Sequence, residues 1–73
     1  MKAKRYLIVI ERSNTGFSAW SPDVPGRCAV GDTEEETTRN LREALTAHLR
    51  VMREIGEDIP EPSSSVTYVD VAA

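Results

Sequence analysis

Glu11, Cys28, His48 and Asp70 are the residues of this chain whose types and positions could support catalysis. A two-metal nuclease needs several carboxylates converging on a pair of divalent ions. Glu11 falls near the end of the first apolar run and Asp70 near the end of the last. The remaining acids fall in loops or on a helical stretch, so no strand-borne set converges. His48 is the only histidine, and no nucleophile or orienting acid is placed beside it, as a general base requires. It reads as a packed histidine. Cys28 has no C-x-x-C partner and reads as a small packing residue. One Cys and one His exclude a Cys/His zinc site. The expectation is no enzyme, no metal and no cofactor.

Binding chemistry is better represented. Tyr6 and Trp20 could stack on bases, but base stacking works beside a basic groove and the net charge is −3. Direct nucleic-acid binding is disfavoured on that ground. The acids Asp23, Asp32, Glu34, Glu35 and Glu36 are instead candidates for contact with a basic protein partner, and they are expected to gather at one end of the fold. The stretch "SPDVPGRCAVGDT", 21–33, has glycines, but neither the spacing nor the following Lys of a phosphate loop. Pro22, Pro25, Gly26, Gly31 and Thr33 therefore read as structural: a turn between two strands, then a helix cap.

These side chains are positioned by few elements, since 73 residues make one domain at most. "KRYLIVIER", 4–12, is a strand rich in β-branched and aromatic residues. Tyr6, Ile8 and Ile10 share one face; Leu7 and Val9 share the other. "SNTG" turns the chain into a second strand, 17–21, with Phe17 and Ala19 on one face and Ser18 and Trp20 on the other. "VPGR" carries Pro and Gly in the type II turn positions, and a short edge strand, 27–30, follows. Thr33 and Glu36 form a capping box for one long helix that ends at Gly56. Its apolar stripe is Leu41, Ala44, Leu45, His48, Met52 and Ile55. After the Pro/Ser-rich "EDIPEPSSS", "VTYVDV", 66–71, reads as a fourth strand.

The expected fold is α+β: β-β-β-α-β, a four-stranded mixed sheet of order 3-2-1-4 with the helix packed on one face. The core spans about 4–71 of a single domain, 1–73. The opposite face holds Leu7, Val9 and Trp20 with no second helix to cover them. Together with Val69 and Val71 they form a candidate oligomer interface. A domain this small also needs outside support, and a lone cysteine cannot form an intrachain disulfide. No run approaches the length of a membrane span, and the five-residue apolar run at Tyr6–Ile10 is too short for a secretory signal. A soluble, cytoplasmic chain is expected.

"VIERSNTGFSAWSPDVPGRCAVGDTEEE" resembles the opening of the HicB-like antitoxin family. The shared features are P-D-(apolar)-P-G at Pro22, Asp23, Val24, Pro25 and Gly26, then G-D-T at Gly31, Asp32 and Thr33 opening a helix. "GEDIPEPS", from Gly56, looks like the family's tail, and the resemblance covers about Tyr6 to Val71. It implies a partial ribonuclease H-like fold and a cytoplasmic, non-enzymatic module that blocks a small basic HicA-like ribonuclease toxin. It also implies homo-oligomers, dimer or tetramer. Many family members place Cys directly after the Pro-Gly turn; here Arg27 stands there and Cys28 follows. Many also carry a C-terminal DNA-binding domain, for which these 73 residues leave no expected room. Two alternatives stand beside the antitoxin: an orphan oligomeric module, and a nucleic-acid-binding or degenerate nuclease protein.

Overall fold

The computed structural model describes residues 3–73. A hairpin of β1 (Val9–Ser13) and β2 (Gly16–Trp20) is followed by β3 (Cys28–Gly31) and the helix α1 (Glu34–Glu54). The three strands form one antiparallel sheet of order β1-β2-β3. Val9 pairs with Trp20, Arg12 with Phe17, Trp20 with Cys28 and Phe17 with Gly31. Ile8, Ala19 and Ala29 lie on the helix-side face, with Ala19 fully buried. Alternation along each strand sends Val9, Trp20, Cys28 and Val30 to the other.

The helix starts as its residue types dictate. The Thr33 side chain accepts from the Glu36 N–H, and the Glu36 carboxylate accepts from the Asp32 N–H. It ends in a Schellman motif around Gly56, whose φ is 79°. Gly56 N–H donates to the Arg53 carbonyl and Glu57 N–H to the Met52 carbonyl. The helix packs on β3 and β2, burying Thr37, Leu41 and Leu45. Leu41, Leu45, Ala19 and Val24 form the core, with Tyr6, Ile8, Ala29 and Leu49 around it.

Four expectations change. No fourth strand occurs among the described residues: 66–71 are exposed and pair with nothing, so the sheet has three strands and order 3-2-1-4 is not completed within the chain. The first strand is shorter than the apolar run, beginning at Val9 rather than Lys4. Its partner β2 stops at Trp20, and Pro22 soon after has no N–H to extend the ladder. The apolar stripe of the helix is fully buried only as far as Leu45. A 21-residue helix is about 31 Å long and a four-residue strand only about 13 Å. Ile55 is therefore left exposed. Cys28 is exposed, not packed, because it points to the open face of the sheet.

Candidate partner-binding site

The strand register decides which acids share a surface. β3 runs from Cys28, opposite Trp20, to Gly31, opposite Phe17 beside the β1–β2 turn. Asp32 and the helix N-terminus follow Gly31, so Asp32, Glu34, Glu35 and Glu36 lie at the β1–β2 turn end. Asp23 lies in the β2–β3 connection, at the opposite end of the sheet. The five acids thus do not gather at one end as expected. Glu34 and Glu35 are exposed and line a shallow depression with Thr38, Arg39 and Arg42. Glu36 is committed to the cap, leaving Asp32, Glu34 and Glu35 as the outward acids.

Asp23 has a different occupation. Its carboxylate accepts four hydrogen bonds, at 2.8 to 3.1 Å, from the N–H and hydroxyl groups of Ser63 and Ser64. The Ser64 N–H and then its hydroxyl hold the Asp23 pKa below the ordinary aspartate value. The same end is tied down twice more. Tyr6 donates its hydroxyl proton to the Pro60 carbonyl, and Lys4 meets both carboxylate oxygens of Glu61 at 2.9 Å. Burial raises the Tyr6 pKa, with Lys4 opposing. Nothing in the sequence spacing signals the Asp23 clamp, whose partners are 40 and 41 residues away.

The catalytic candidates are dispersed. Glu11 accepts from the Trp20 indole N–H at 3.0 Å, so its carboxylate steadies the exposed tryptophan. His48 Nδ1 lies 3.0 Å from an Arg27 guanidinium nitrogen; guanidinium only donates, so Nδ1 accepts. Asp70 is exposed in the C-terminal segment. Among the described residues no group of three His, Cys, Asp or Glu could hold a metal ion, and no helix is long and apolar enough to cross a membrane. The second candidate surface is the open sheet face. Trp20 is 39% exposed there and Val30 68%, with Val9 half-buried beside Trp20. Leu7 is half-buried, while Val69 and Val71 are exposed and lie outside the sheet.

A surface with a paired acidic end, an uncovered apolar sheet face and no reactive cluster suits protein contact. The family model described as the HicB-like antitoxin of bacterial toxin-antitoxin systems matches residues 6–72. The chain belongs to the HicB-like antitoxin family. Antitoxin HicB 2 of Photorhabdus laumondii is 33% identical over 73 residues, 99% of this chain and 52% of that protein. An uncharacterised 14.9 kDa protein from the rep–hol intergenic region of Haemophilus phage HP1 is 37% identical over 65 residues, 89% of this chain and 49% of that protein. The chain thus spans about half the length of these curated relatives. No solved structure matches it.

Proposed function

We propose that this HicB-like chain neutralises a small basic HicA-like ribonuclease in the cytoplasm by covering its active or RNA-binding surface. The observation that carries this reading is the family match across residues 6–72. The acidic end supports it. A ribonuclease that grips RNA phosphates presents cations, and Asp32, Glu34 and Glu35 offer exposed carboxylates on a capped, rigid helix start. Asp23 is left out of this surface because its carboxylate is filled by Ser63 and Ser64.

The chain also works as a homo-oligomer in this reading, a dimer or tetramer. Its support is the apolar face carrying Val9, Trp20 and Val30, which no element among the described residues covers. Leu7, Val69 and Val71 belong with that apolar set.

The test is co-expression with a HicA-like ribonuclease. Growth arrest is relieved and the two proteins co-purify. If the chain neither binds nor rescues, the antitoxin reading falls and an orphan oligomeric module replaces it.

A further inference from the structure

Among the described residues, two segments have strand sequences and no strand partner. Residues 4–8 lead into β1 but pair with nothing: β2 ends at Trp20, opposite Val9, and the other edge of β1 is open. Residues 66–71, "VTYVDV", are rich in β-branched residues and fully presented to solvent, with Tyr68 90% and Val69 79% exposed. An open edge and a free strand-forming segment are complementary, because each supplies the backbone groups that the other lacks.

Among the described residues no hydrogen bond joins the two segments within one chain. Between helix and tail, residues 60 and 61 are fastened to Tyr6 and Lys4. The next residues, Ser63 and Ser64, are fastened to Asp23. Asp23 follows β2, so this clamp ties the start of the tail to the β2–β3 connection. The tail then projects. The radius of gyration is 14.1 Å, against about 11 Å for a compact chain of this length. The longest dimension is 48 Å, against 27 and 20 Å for the others.

The open edge also has a place to receive side chains. Residues 3–6, Ile8, Ile59 and the helix from Thr38 to Arg53 line a groove of about 670 Å³. Tyr6, Ile8, Leu45 and Leu49 supply its apolar lining, and Arg42 and Arg50 supply cations. A strand laid beside residues 4–8 sends alternate side chains into this groove. One face of "VTYVDV" presents Val66, Tyr68 and Asp70, which fit its chemistry: two apolar side chains for the lining and one acid for the arginines.

We infer that residues 66–71 of one copy add as a strand to the open β1 edge of a second copy, and reciprocally. This rests on the homo-oligomer reading and names its mechanism. The order 3-2-1-4 expected from the sequence is then completed across two chains, with the fourth strand donated by the partner.

The experiment combines solution mass with amide hydrogen exchange on the unmodified chain, at concentrations above and below dimer dissociation. The expected result is a dimer in which the amides of 66–71 and 4–8 are protected, with protection lost on dilution. Tyr68→Pro removes a ladder donor at a site exposed in the single chain. It is expected to weaken dimerisation by about tenfold or more while leaving the monomer's circular dichroism unchanged. A dimer with an unprotected tail, or one indifferent to Tyr68→Pro, overturns strand exchange and leaves the oligomer to the sheet face. A monomer overturns both readings. Protection that persists in a monomer shows the tail docking on its own chain and overturns the exchange.

Discussion

Asp23 illustrates how a residue's type and its employment diverge. In the sequence it is one more exposed acid in a loop. In the fold its two oxygens receive four hydrogen bonds, two from N–H groups and two from hydroxyls. Asp23→Ala removes every acceptor, so the Ser63 and Ser64 amides should exchange faster and the 57–65 connection should become more sensitive to protease. The thermal midpoint should change little, because the clamp is solvent-exposed and Leu41 and Leu45 hold the core. Unchanged exchange at Ser63 and Ser64 would sink the clamp. Its pH dependence has a fixed sign. The folded pKa is lowered, so the clamp's contribution is fully present above the ordinary aspartate value of about 3.9 and is lost as pH falls through the lower folded value. Amide exchange at Ser63 and Ser64, corrected for intrinsic pH effects, should show opening only on the acid side of that value. None of this was legible in the sequence, because an exposed carboxylate gives no sign of partners some 40 residues away.

At the scale of elements, local signals were legible and pairing was not. Thr33 with Glu36, and Gly56 after the helix, mark their termini through hydrogen bonds closed within a few residues. Strand faces were legible too, since alternation sorts Ala19 from Trp20 whatever their partners. Strand extent was not, because residues 4–8 and 66–71 have strand composition but need a neighbour that sequence composition does not supply. Gly31 shows the same limit. It reads as the end of an edge strand, yet its main constraint is the helix. A Cβ there would lie 2.6 Å from Thr37 Oγ1, 2.8 Å from Thr37 N and 3.1 Å from its Cα. Thr37 is fully buried and its hydroxyl donates to the Thr33 carbonyl, so backbone at the helix start would have to yield. Gly31→Ala should cost about 1–3 kcal/mol by overpacking the β3–α1 contact. Each kcal/mol corresponds to a fall of roughly 4–8 °C in the midpoint of a domain this size. Calorimetry checks it, and a midpoint within a degree of the parent would refute the close approach.

For the whole molecule the decisive feature is how its candidate surfaces are placed. The acidic carboxylates flank the helix N-terminus, the apolar Trp20 face lies across the sheet from the helix, and the tail leaves from the end marked by Asp23. In the proposed reading a toxin bound at the acidic end leaves the Trp20 face free, and the acidic depression meets the groove beside residues 4–8 only at Thr38 and Arg42. Charge reversal tests this division. Asp32→Lys, Glu34→Lys and Glu35→Lys together move the net charge from −3 to +3, two units at each of three sites. Association with a basic ribonuclease should slow by about tenfold or more at low salt and invert its dependence on ionic strength, because steering acts on the encounter and salt screens the new repulsion. The same substitutions place cations at the positive end of the helix dipole, a cost of about 0.3–1 kcal/mol each. Asp32→Asn, Glu34→Gln and Glu35→Gln separate the two effects, since they discharge the surface without repelling the dipole. This neutral variant should show an intermediate association rate and a flattened salt dependence, with the oligomeric state of the parent. If toxin association is unaffected in both variants, the acidic end is only a solvated helix start. If the oligomeric state changes with charge while the fold is intact, the two surfaces are not independent.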